Sequence, residues 1–121
     1  ETIMSKSQQR NDSWKGIDLI VVDYIQLVTL ANVKDKARHE QVAEVTRTLK
    51  QLAKRYQCPV ITATQLNDDG RVRESRAITH DADVVLKISD DRDSITIEKN
   101  RNGQSGYVLP LSLNGEYQRF E

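Results

Sequence analysis

Leu19-Ile20-Val21-Val22-Asp23 is four aliphatic side chains running into a carboxylate. The run is short and rich in β-branched residues. It reads as a strand of roughly residues 17 to 24, buried on both faces of a parallel sheet. An aspartate at the carboxyl end of such a strand stands where open α/β sheets bind their ligands. Two readings of Asp23 are open at this point. It is a carboxylate that holds a metal on bound phosphates, or a strand-ending residue that caps its loop.

The segments around this strand alternate in α/β fashion. Residues 1 to 16 are polar, and they read as the tail of a helix ending in the turn Lys15-Gly16. Residues 30 to 37 are a polar connection. Val42, Val45, Leu49, Leu52 and Tyr56 then recur at spacings of 3, 4, 3 and 4, one apolar stripe on a helix of about 36 to 56. Glu40, Glu44, Arg47, Lys50 and Lys54 fall on its solvated face. Pro59 ends the helical signal, and Val60-Ile61-Thr62-Ala63-Thr64-Gln65 reads as a second buried strand. A charged stretch from Asn67 to Arg76 leads to a helical turn near Ala77 to Asp81. Asp83 to Ile88 is a third strand.

The last third changes character. Ile95 and Ile97, and later Tyr107, Leu109, Leu111 and Leu113, alternate with polar residues, so these strands expose one face. Asn114-Gly115 is a two-residue hairpin signal before Glu116 to Phe120. Between the first pair lies a glycine-containing loop, Asn100 to Gly106, that carries Arg101.

Composition narrows the function classes. At 121 residues the chain has room for one domain with a small core. Its 18 basic and 18 acidic residues cancel, so any polyanion site must be a local cluster. The lone Cys58 excludes an internal disulfide, fits a reducing compartment, and reads as a packing residue. No apolar run approaches the length of a membrane span and no signal-peptide pattern is present. His39 and His80 lack metal-ligand spacing. The chain begins Glu1-Thr2-Ile3, without Met, which suggests a piece of something longer.

Five motifs in order carry a resemblance. Asp18 to Leu27 (Asp-Leu-Ile-Val-Val-Asp-Tyr-Ile-Gln-Leu) resembles the Walker B segment of DnaB-type replicative DNA helicases. Thr64-Gln65-Leu66-Asn67 is similar to that family's next motif. Arg73-Glu74-Ser75 with Asp81-Ala82-Asp83-Val84-Val85 is similar to the one after it. Lys99-Asn100-Arg101-Asn102-Gly103 and Gly115-Glu116-Tyr117-Gln118-Arg119-Phe120 match the last two. The family's P-loop and the catalytic glutamate after it are absent from the 121 residues. Arg76 stands where the family has glycine, and the stretch from Asn67 to Arg73 is short, which suggests a phage-like or divergent branch.

The resemblance implies a partial RecA-like P-loop NTPase core. It would be an α/β fold with a mostly parallel sheet and a C-terminal antiparallel hairpin region. Residues 1–121 would then be the carboxyl-terminal part of a motor domain, from Walker B onward, inactive alone. The implied cofactors are ATP and Mg²⁺. Asp23 is the metal residue, holding Mg²⁺ through water. Gln65 would hydrogen-bond the γ-phosphate or its attacking water and report hydrolysis to the loop that follows. Tyr24 and Gln26 read as scaffold.

Lys99 and Arg101, two residues apart on an extended segment, project to the same side. In the family the matching pair reaches the neighbouring subunit's nucleotide, where an arginine supplied in trans stabilises transition-state charge. Without the resemblance, such a pair is a solvated strand edge. Arg71, Arg73, Glu74 and Arg76 are the implied DNA-binding residues. Arginines would grip phosphates irrespective of sequence, and Glu74 would act through its backbone N–H or by holding an arginine. Outside the resemblance, a mixed-charge loop with Asp68, Asp69 and Gly70 would be unstructured.

The expected function is therefore an ATP-dependent replicative DNA helicase, moving on single-stranded DNA as a hexameric ring. It would work in the cytoplasm of a bacterium, or as a phage or prophage protein in its host. Primase and a helicase loader are further partners the resemblance allows; a membrane is not. Two other readings stand beside it: a recombinase-like ATPase that forms filaments, and a non-catalytic module without a P-loop that binds DNA or a helicase.

Overall fold

Residues 5–6, 16–30, 35–65 and 75–120 are described by the computed structural model of the chain. They fall into two compact units, one ending at Asp81 and one beginning at Ala82.

The first unit is built on helix α1, Arg38–Tyr56, formed by the apolar stripe. Val42, Val45, Leu49 and Leu52 are buried on it, and Tyr56 packs at the edge. Each such burial is worth roughly 1.5–3 kcal/mol. One polar residue lies among them. The Thr46 hydroxyl donates to the Val42 carbonyl at 2.7 Å, so it is buried but satisfied. The helix ends before Pro59: Gln57 takes a left-handed conformation (φ 50°), and the amides of Gln57 and Cys58 both return to the Ala53 carbonyl. The chain turns by hydrogen bonding here, and proline only follows.

Strands β1, Ile20–Val22, and β2, Val60–Thr62, pair in parallel, with Ile20 opposite Val60 and Val22 opposite Thr62. Ile20 and Val22 point into the core with Ile25, Cys58 and Ile78, the last on helix α2, Ser75–Asp81. Burial on both faces is not what the structure has. Val21 is 64% exposed and Ile61 57%, because only one side of the described pair is covered by α1. The alternation set by the pleat is intact, and coverage alone differs.

The second unit is a three-stranded antiparallel sheet of β3, Val84–Ile88, β4, Ser94–Asn100, and β5, Val108–Pro110, in that order. A two-stranded ribbon follows, β6, Leu113–Asn114, and β7, Arg119–Phe120. None of its described residues is fully buried. The Asn114-Gly115 hairpin forms, but its loop is four residues rather than two. Asn114 pairs with Arg119, and its side-chain oxygen accepts the Tyr117 amide at 3.4 Å. The asparagine belongs to the strand, and Gln118 (φ 48°) takes the left-handed position.

The register of β3 on β4 shifts between Val85 and Leu86. Val85 pairs with Lys99 and Leu86 with Ile97, so Glu98 has no opposite number. This is a one-residue bulge. Among the described residues no helix is long and apolar enough to cross a membrane.

Candidate functional site

Asp23 follows directly on β1, and its position is fixed by the strand pair. Ala63 N donates to the Val22 carbonyl at 3.4 Å, and Ile25 N donates back to the Ala63 carbonyl at 3.0 Å. The Thr62 hydroxyl adds a contact to Val22 O at 2.9 Å. Asp23 is thus pinned from both sides while its own side chain stays exposed. Gln65 lies just past the end of the adjacent parallel strand and is also exposed. Parallel pairing brings the two to the same end of the pair, the carboxyl end, where ligands of open α/β sheets are bound.

Gln26, read from the sequence as scaffold, joins these two strand ends. It lies on the 3₁₀ turn Ile25–Leu27, and its Nε2 donates to Thr64 Oγ1 at 2.8 Å, one residue before Gln65. Its backbone carbonyl accepts from Arg38 Nη2 at the start of α1. The turn after Asp23 is therefore tied to the helix and to the strand that carries Gln65.

Among the described residues no three His, Cys, Asp or Glu side chains gather as a metal cage. An exposed carboxylate such as that of Asp23 suits Mg²⁺. Mg²⁺ keeps most of its waters and is held by one or two carboxylates plus substrate phosphates.

In the second unit the bulge decides which face the basic pair occupies. Residues two apart on a regular strand share a face, so Ile95, Ile97, Lys99 and Arg101 would all point one way. Leu86 and Val85 are consecutive and point to opposite faces. With Ile97 beside Leu86 and Lys99 beside Val85, the surplus Glu98 turns Lys99 away from the isoleucines. Arg101 continues on the Lys99 side, level with Asp83. Its N–H donates to the Asp83 carbonyl at 2.8 Å, and its Nε lies 3.1 Å from Asp83 Oδ1. Lys99 and Arg101 share one face, as the sequence predicts. The bulge carries no sequence signal, and although Asp83 belongs to one of the five motifs, nothing in the pattern marks it as the partner of Arg101.

The glycine loop after β4 is closely folded. Asn102 N donates to Asn100 Oδ1 at 3.3 Å, and a Cβ on Gly103 would meet Asn100 Nδ2 at 2.6 Å. Of the residues expected to contact DNA, Arg76 is exposed on the first turn of α2. Arg71, Arg73 and Glu74 lie outside the described residues.

Comparison with known proteins points one way. The family model described as DnaB-like helicase C-terminal domain matches residues 1–121. The replicative DNA helicase DnaB of Buchnera aphidicola subsp. Schizaphis graminum is 38% identical over 129 aligned positions, covering 88% of this chain and 27% of that protein. The DnaB helicase of Haemophilus influenzae is 38% identical, with the same coverage. The chain thus spans about a quarter of the length of these curated relatives. Among solved structures, a DnaB-like replicative helicase studied with its primase interactions superposes at a TM-score of 0.83, with 27% identity over 98% of this chain and 33% of that one. A second solved structure, of an ATPase domain, does so at 0.82, with 26% identity over 98% of this chain and 49% of that one.

Proposed function

The chain belongs to the DnaB-like helicase C-terminal domain family, and we propose that it forms part of an ATP-driven replicative DNA helicase motor. In this reading the intact protein is a hexameric ring that moves on single-stranded DNA. The observation that carries it is the placement of Asp23 and Gln65 at the carboxyl ends of two adjacent parallel strands, with Gln26 joining them.

Phosphoryl transfer depends on position and charge more than on covalent help. Asp23 would hold Mg²⁺ against the nucleotide phosphates through water. Bound there, the ion would neutralise charge that develops on the phosphate oxygens. Gln65 would offer its amide to the γ-phosphate or to the attacking water. Through Gln26 and Thr64, a change at either strand end is felt at the other. The phosphate-cradling loop and its lysine would come from sequence outside these 121 residues.

Lys99 and Arg101 would act on the nucleotide of a neighbouring subunit, Arg101 by stabilising charge in the transition state. Arg71, Arg73, Glu74 and Arg76 would line the path of the DNA strand. Phosphate gripping of this kind is salt-sensitive and indifferent to sequence, as a motor requires. Primase is a fitting partner, since one structural neighbour was solved for its interactions with primase.

The test is made on the full-length protein. Arg101→Ala should lower ATP turnover by about 10³-fold, the scale of an arginine supplied in trans, with nucleotide binding nearly unchanged. Subunits carrying Arg101→Ala should complement subunits carrying Asp23→Ala, because some interfaces of a mixed ring keep both groups. Rings that assemble and exchange subunits yet recover no activity would show that Arg101 does not act across the interface.

A further inference from the structure

We propose that Asp83 is a positioning residue for Arg101. It would hold the guanidinium against its own sheet so that the outer edge of that group meets a phosphate presented by a neighbouring subunit. The inference rests on the reading of Arg101 as a group acting in trans.

Three observations carry it. Asp83 holds Arg101 at two points, the backbone amide at 2.8 Å and Nε at 3.1 Å. The ion pair is made at Nε rather than centred on the Nη fork, the end of the guanidinium that pairs bidentately with phosphate oxygens. The Glu98 bulge sets the register that brings these two residues level and onto one face. In this proposal Asp83 orients the arginine from its neck and the far end of the guanidinium meets the phosphate.

Both members of the pair are about half exposed, 50% for Arg101 and 51% for Asp83, so the contact adds little to fold stability. Its effect falls on the arginine instead. A free Arg side chain samples many rotamers, and a group must be in place beforehand to stabilise charge when it develops. A guanidinium held at its neck has far fewer orientations to search. The acid here is aspartate, whose short side chain reaches one step across the ladder and does not extend past the guanidinium.

The experiment is a double-mutant cycle in the full-length protein, with kcat and KM for ATP read separately. Asp83→Asn keeps the backbone contact and removes the charge. It should lower kcat by about twofold to fivefold, the range of an exposed ion pair, with KM nearly unchanged. Asp83→Glu should restore part of the loss. The deficit should shrink as salt is raised, since an exposed pair is screened. In an Arg101→Ala background Asp83→Asn should have no further effect on kcat. Should the Asn variant fail to assemble into rings, Asp83→Ser removes the same charge and is read against the same expectations.

If Arg101→Ala is slow and Asp83→Asn is as fast as the parent, the positioning role is wrong and the reading of Arg101 stands. If Asp83→Asn lowers kcat equally in both backgrounds, Asp83 acts on something other than Arg101 and the proposal fails. If Arg101→Ala itself turns over normally, the reading beneath it fails as well.

Discussion

The two units hold their candidate functional residues by different means. In the first, Asp23 and Gln65 extend from a strand pair laid on the buried face of α1. Among the described residues nine apolar side chains form the core, and all of them lie between Ile20 and Ile78. In the second, Lys99 and Arg101 stand on a sheet with no fully buried residue, placed by hydrogen-bond register and one surplus residue. Packing positions the first pair and counting positions the second. A packed site gives way gradually as atoms are removed. A counted one fails all at once when the register between its strands shifts.

The sharpest way to break this contrast is to insert an alanine between Val85 and Leu86, which gives Glu98 a partner and removes the bulge. A regular ladder would return Lys99 and Arg101 to the face of Ile95 and Ile97. Turnover of the full-length protein should then fall about as far as with Arg101→Ala, on the order of 10³-fold, with ring assembly retained. Replacing Glu98 with Ala keeps the count and should cost far less. Equal losses in the two variants would mean that the Glu98 side chain matters and the bulge does not.

Leu52→Ala tests the packed side. Leu52 is 2% exposed, and its truncation should cost about 2–5 kcal/mol of unfolding free energy, read from urea melts. Leu86, 56% exposed on β3, should cost less than about 1 kcal/mol when changed to Ala. Comparable losses would show that the face of β3 is covered in solution and would erase the contrast.

Much of this organisation is legible in the chain. The spacing of Val42, Val45, Leu49 and Leu52 gives both α1 and its buried face, and the aliphatic run before Asp23 gives β1. Other features belong to the pairing rather than to either strand. Nothing in Ile97-Glu98-Lys99 marks a bulge, because a bulge exists only relative to the partner strand. The open face of Val21 and Ile61 is of the same kind. An apolar pattern tells which side chains want cover, whereas exposure depends on what lies above them. Asn114-Gly115 misleads in a smaller way, since an asparagine that accepts the Tyr117 amide closes a four-residue loop from within the strand.

The smallest effect belongs to the turn between β3 and β4. The Ser89 hydroxyl donates to Asp93 Oδ1 at 2.7 Å and accepts the amides of Asp93 and Ser94, both at 3.1 Å. The Ser94 hydroxyl adds a 3.0 Å bond to the same carboxylate. The hydrogen bond from Ser89, and after it that from Ser94, lowers the Asp93 pKa below its ordinary value. A depressed carboxylate contributes stability above its unfolded pKa of about 4 and loses it as pH falls through the folded value. Melting temperature should therefore carry a slight extra acid slope below about pH 4 that Ser89→Ala flattens. An unchanged slope in that variant would mean that the turn does not hold the carboxylate in solution.

Cys58 gives the first unit a timer. It is the only thiol in the chain, and it sits in the core at the foot of α1 with 6% of its surface exposed. A thiol reagent can reach it only when the helix lifts from β1 and β2. Labelling is then slow for a physical reason, and its rate counts openings of the layer that aims Asp23 and Gln65. One absorbance trace under native conditions reads how often that end of the strand pair comes apart, and under the proposed function a bound nucleotide should lengthen the interval between openings.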